Sequence, residues 1–150
     1  MVSMLPIASS ERDEFLRMAV NHFSELNASF VPQDDWKEYY FATIMANPEY
    51  FLRWIICDEK RAGFILFGLE KHRFLPRKTG AIYEVYVVPE FRKRGVAKAC
   101  AIQAIRELWT HAPSKIQLEV IEGRGVAAAL WQSLGFQKVT DRYVLSGSGS

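Results

Sequence analysis

Glu84, the basic run Arg92-Lys93-Arg94 and the small residues Gly95 and Ala97 fall within one short stretch of the chain. Their order is a strand rich in Val and Tyr (Val85, Tyr86, Val87, Val88), a stop at Pro89, a basic turn, and a helix opening around Gly95 and Val96. Pro89 cannot donate to a β-ladder and so ends the strand. Small residues at Gly95 and Ala97 leave no bulk between the backbone N–H groups and a ligand. The first-turn N–H groups of a helix have no internal partner and carry about half a positive charge, so an anion is bound there without any side chain. A pyrophosphate suits such a turn.

Hydrophobic periodicity sets out the elements that must position this stretch. Met4–Ile7 reads as a short strand. Ser10 is placed to cap a helix whose apolar face is Phe15, Met18, Ala19, His22, Phe23 and Leu26. Asp34 can cap a second helix with Trp36, Tyr39, Tyr40, Thr43 and Ile44 on one side, stopped by Asn47-Pro48. Residues 51–57 and 63–69 read as an antiparallel hairpin about the charged turn Asp58-Glu59-Lys60-Arg61. A basic loop, 71–80, leads to the strand 81–88. A helix over 95–109 buries Ala97, Ala101, Ala104, Ile105 and Leu108. A strand over 115–121, a helix over 126–134 closed by Gly135, and a last extended segment over 136–145 complete the order.

The spacing Arg92-x-x-Gly95-x-Ala97 resembles the R/Q-x-x-G-x-G/A signature with which the GNAT superfamily of N-acetyltransferases grips the pyrophosphate of acetyl-CoA. Downstream, Leu118-Glu119-Val120 followed by Ala127 to Phe136 is similar to that family's LEV…LYE.LGF segment. The resemblance is close over about residues 80 to 140 and lies only in the order of elements before that. It implies an α/β (α+β) fold, a mixed central sheet flanked by helices, as a single domain over residues 1–145. It implies an enzyme that moves acetyl from acetyl-CoA, used as co-substrate without a metal, to a small-molecule or peptide amine by direct attack in a ternary complex. A catalytically weak acyl-CoA-binding or regulatory module is the alternative. The resemblance leaves a homodimer open.

In the resembling family the strand before the turn parts from its neighbour. That maps cofactor contacts onto Val85, Tyr86 and Val87, with the Val87 N–H as oxyanion donor, and onto Arg92, Lys93, Arg94, Gly95, Val96 and Ala97. An alkyl amine, with a pKa near 10.4, arrives protonated and must lose a proton, usually through a carboxylate. Two carboxylates are in position. Glu84 lies on the strand leading into the turn, with Ile82, Tyr86 and Val88 expected on its face; Glu119 matches the base of some protein N-terminal acetyltransferases. Trp131 stands where the family has a Tyr that protonates the departing thiolate, and an indole N–H has no such acidity. Arg124, where Asn is common, either pairs with a CoA phosphate or is solvated.

Other features have plainer readings. With 49% hydrophobic and 24% charged residues and a net charge of +2, the composition is that of an ordinary globular chain. The charge is too small to argue for nucleic acid, and three basic residues without interleaved aromatics make a small footprint for it. No apolar run is long enough for a membrane span and no signal peptide is indicated, so a cytoplasmic location is expected. The dinucleotide and Walker glycine patterns are absent, leaving NAD and ATP unsupported. Cys57 and Cys100 are expected to pack in the core. So is His22. Asp34, Asp35, Trp36, Tyr39 and Tyr40 either shape an acceptor pocket or serve as cap and core. His72 and its basic neighbours either form a solvated hairpin end or overhang the acceptor site, and Ser146–Ser150 is a flexible tail, either appended or a frayed end.

Overall fold

In the computed structural model, which describes residues 1–121 and 123–147, the central strand announces itself by continuous burial. β3 (Lys60–Lys71) is buried at every residue from Ala62 to Leu69, because both of its faces are covered. β2 (Tyr50–Cys57) joins it through a turn in which Asp58 and Glu59 both adopt left-handed backbone, φ 52° and 63°. Cys57 pairs with Lys60, so the connection is the two-residue hairpin whose twist matches that of the strands, shorter than the four residues expected. β1 (Val2–Pro6) pairs antiparallel with β2, and β4 (Lys78–Val87) antiparallel with β3. β5 (Ile116–Leu118) adds in parallel to β4, giving a mixed sheet in the order β1-β2-β3-β4-β5.

The helices cover both faces. α1 (Arg12–Leu26) and α2 (Asp34–Ala46) close over one face, around Phe15, Ala19, Phe41, Ile44, Trp54, Phe64 and Leu66. α3 (Val96–Thr110) and α4 (Gly125–Ser133) close over the other, around Ile55, Ile65, Phe67, Cys100, Ala104, Leu108 and Trp131. Each large side chain fully withdrawn here contributes about 1.5–3 kcal/mol. Cys57 and Cys100 are free and buried as expected, and burial pushes the Cys100 thiol up to about 12.

Four local expectations need correction. Ser10 is not a cap. It lies in a 3₁₀ turn (Ser9–Glu11) in which Glu11 Oε1 accepts from the Ala8 N–H at 2.8 Å. Asp34 begins α2 rather than capping it, since the cap position is Gln33; Asp34 and Asp35 then lie in the first turn, where the dipole favours acid. The buried side of α2 runs through Trp36, Tyr40, Phe41 and Ile44, leaving Tyr39 73% exposed and Thr43 outside. The segment after Gly135 joins no ladder among the described residues. β5 stops at Leu118 and offers it no matching length, and Val139, Tyr143, Val144 and Leu145 remain exposed. Of the expected tail, residues 148–150 lie outside the described residues. Among the described residues no helix is long and apolar enough to cross a membrane.

Candidate active site

The parallel ladder between β4 and β5 runs only from Gly80–Ile82 to Ile116–Leu118. From Tyr83 to Val87 the edge of β4 that faces away from β3 therefore has no strand partner among the described residues. On the other edge β3 approaches closely: a Cβ at Gly63 would lie 1.8 Å from the Tyr86 carbonyl oxygen, so only glycine fits there.

A β-bulge aims the side chains of this segment. Leu66 pairs with Glu84 but Phe67 with Ile82, leaving Tyr83 as an extra residue in β4. The bulge breaks the alternation read from the sequence. Ile82 turns into the core beneath α3, while Tyr83 packs on the opposite face and Glu84 meets α1. Ile82 and Glu84 thus lie on opposite faces, contrary to expectation; Tyr86 belongs to the α1–α2 core.

Glu84 does not stand alone. His22 Nε2 of α1 lies 2.5 Å from Glu84 Oε2, a short hydrogen bond. His22 is only 8% exposed, and its ring packs on those of Phe23, Phe64 and Tyr86 at centroid distances of 5.1, 5.8 and 5.6 Å. It is the packed histidine the helix period predicts, and it is also the partner of a site carboxylate, which the period could not reveal. Tyr40 of α2 completes this corner. Its buried hydroxyl has no hydrogen-bond partner among the described residues. Burial, then the Glu84 charge, pushes its phenol well above the usual range, so it remains a donor at any working pH. Trp36 stacks on Tyr40 at 5.1 Å, with Phe23 and Phe30 edge-on.

Beyond β4 the chain makes a 3₁₀ turn (Pro89–Phe91), then adopts left-handed backbone at Lys93 (φ 63°) and Gly95 (φ 74°) before α3 begins at Val96. The first bond of α3 is Ala99 N–H to the Gly95 carbonyl at 3.0 Å, so the N–H groups of Val96, Ala97 and Lys98 precede it. A Cβ at Gly95 would meet nothing within 4 Å, so the mouth of the helix is open. Arg92 is anchored beside it: Nε donates to the Val87 carbonyl at 2.8 Å and Nη2 to both Glu25 oxygens at 2.8 Å. Arg124 donates to the Glu25 carbonyl. The last turn of α1 thus holds two of the expected cofactor arginines, a contact no local pattern announces. Burial, then Glu25, raises the Tyr86 phenol. Arg94 reaches Asp58 at 3.6 Å, and Lys93 is exposed.

Glu119 has a different setting. Its side chain is 79% exposed and pairs at 3.2 Å with Arg142, itself 73% exposed. Among the described residues no hydrogen bond or ion pair joins it to Glu84. Trp131 is buried beneath α3, edge-on to Phe136 at 5.7 Å. The loop 72–77 is exposed, and His72 Nδ1 accepts from the N–H groups of Phe74 and Leu75 at 3.0 Å.

The Acetyltransferase (GNAT) family model matches residues 14–136. An uncharacterized N-acetyltransferase of Methanocaldococcus jannaschii is 24% identical over 141 residues, covering 88% of this chain; the chain spans 59% of that relative's length. A ribosomal-protein-alanine N-acetyltransferase from Brucella melitensis has a similar structure, with a TM-score of 0.75 at 16% identity over 98% of this chain and 100% of that one. An aminoglycoside acetyltransferase from an uncultured soil metagenomic sample, in complex with sisomicin, gives 0.70 at 14% identity over 97% of both chains. At such identities these two structures share the fold.

Proposed function

Because the chain belongs to the acetyltransferase (GNAT) family, we propose that it moves an acetyl group from acetyl-CoA to a primary amine by direct attack in a ternary complex. One observation carries this: β4 parts from β5 beyond Ile82 and runs directly into a helix whose mouth, at Gly95, is open. The turn fits a pyrophosphate. Its free N–H groups lie at Val96 and Ala97, with Arg92, Lys93 and Arg94 adding charge. Acetyl-CoA would supply the acyl group as an activated thioester. The edge Val85-Tyr86-Val87 holds the pantetheine arm, Val87 N–H faces the developing oxyanion, and Arg124 and Trp131 flank the arm.

An ammonium cannot attack a carbonyl, so a base must take its proton. Glu84 does so. It is half-buried at the parting of the strands and beside the aromatic corner of Trp36 and Tyr40. The acceptor is a small-molecule or peptide amine, the two kinds named for the similar structures. Thiol release from acetyl-CoA across a panel of peptide, polyamine and aminoglycoside amines tests the reading. At least one amine is expected to release coenzyme A; none doing so overturns it.

Trp131 packs and does not protonate. Trp131→Phe keeps a ring against Phe136 and is expected to hold turnover within about tenfold. A hundredfold loss with unchanged melting temperature and acetyl-CoA affinity would sink that role, since an orphaned hydrogen-bond partner costs about that much.

A further inference from the structure

We propose that His22 is a positioning residue for Glu84, a role that rests on the acetyl-transfer reading above. Among the described residues most other paired glutamates have permanent cations, Arg61 for Glu11 and Glu14, Arg53 for Glu107, Arg92 for Glu25 and Lys78 for Glu49, while Glu70 accepts from the Tyr83 hydroxyl at 2.7 Å. Glu84, beside the parted strands, has a buried imidazole instead, at 2.5 Å. The imidazole is held on three sides by the rings of Phe23, Phe64 and Tyr86, so its own freedom is small.

The consequence is geometric. His22 Nε2–H fixes Glu84 Oε2, and among the described residues Oε1 has no partner, while the side chain keeps 23% of its surface open. The carboxylate therefore presents one defined oxygen to the cleft. The acceptor's N–H bond breaks toward Oε1 and its electron pair stays on nitrogen for attack on the acetyl carbon; the C–S bond then breaks with its pair on sulfur, so that coenzyme A leaves as thiolate, and the Nε2–H bond of His22 remains intact throughout. Because His22 stands on α1, this oxygen is also set by how α1 docks, together with the Glu25 contact to Arg92 one turn later. One helix aligns the proton acceptor and braces the pyrophosphate turn.

His22→Phe retains the ring packing and removes the donor. Turnover is expected to fall roughly 10- to 100-fold, the value of one hydrogen bond to a charged group, with the KM for acetyl-CoA and the melting temperature near wild type. His22→Gln, which can still donate, should recover most of the loss. In a Glu84→Gln background, His22→Phe should cost less than threefold more, because the residue acts through the carboxylate. A His22→Phe variant within threefold of wild type, or an equal loss in both backgrounds, overturns the proposal. Nitrogen-15 NMR of the three histidines tests it in the unaltered protein, whether or not His22→Phe folds. The His22 proton should sit on Nε2, far downfield, and move upfield in Glu84→Gln. A proton on Nδ1, or one unmoved by that change, also overturns it. A wild-type protein that releases no coenzyme A with any amine fails the acetyl-transfer reading instead, a result separable from an active enzyme indifferent to His22.

Discussion

Glu84→Gln is expected to lower turnover by roughly 10² to 10⁴ while leaving acetyl-CoA binding intact. The amide has the volume of the carboxylate and an oxygen that can still accept from His22 Nε2–H, so α1 keeps its seat on the sheet. What it lacks is the basicity to take a proton from an alkylammonium. A loss of that size corresponds to about 2.7 to 5.5 kcal/mol in the barrier. Glu119→Gln provides the contrast. Its pair with Arg142 lies at the surface, 79% and 73% exposed, where such contacts contribute about 0–1 kcal/mol, so the expected change is within about fivefold. Rates of both variants, measured across pH at saturating acetyl-CoA, decide between the two carboxylates. If Glu119→Gln is the one that loses a hundredfold, the base is assigned to the wrong strand; if neither loses tenfold, solvent takes the proton.

Gly95→Glu is expected to abolish acetyl-CoA binding. Gly95 stands at the mouth of α3 with φ 74°, and a side chain there would enter space in which nothing lies within 4 Å. A carboxylate in that space would meet the pyrophosphate with like charge and compete for the N–H groups of Val96 and Ala97. In the unaltered protein, acetyl-CoA at 100 times its dissociation constant adds about 2.7 kcal/mol, which raises the melting temperature by roughly 5–10 °C in a domain of this size. The Glu variant should show no such shift. Gly95→Ala separates strain from charge: both variants bear about 1–2 kcal/mol for left-handed backbone, but Ala should retain most of the ligand-induced shift. A full shift in Gly95→Glu would remove the turn as the binding site.

Local features of the chain were legible without coordinates. The run Gly63 to Leu69 reads as a strand, and the Pro89 stop with Gly95 as the opening of a helix; each depends on backbone freedom or periodicity within a few residues. The order of elements up to α4 follows from the same short-range signals. The motif Arg92-x-x-Gly95-x-Ala97 pointed to the family because a helix-opening turn is built from residues a few positions apart.

Tertiary structure decided the rest. The bulge at Tyr83 is a property of the β3–β4 ladder, not of the β4 sequence, and it alone determines that Glu84 faces α1 while Ile82 faces α3. His22 and Glu84 are 62 residues apart, and Glu25 and Arg92 are 67 apart, so helix periodicity could mark His22 as buried but not name its partner. Glu84 and Glu119 looked equivalent as strand carboxylates. They differ because β5 ends at Leu118, leaving Glu119 at the surface, while the packing of α1 encloses Glu84. Among the described residues the segment after Gly135 joins no strand of the sheet. Sequence spacing specifies conformation along the chain; which side chains share a site depends on ladder register and helix docking, which are set by the packing of segments far apart in sequence.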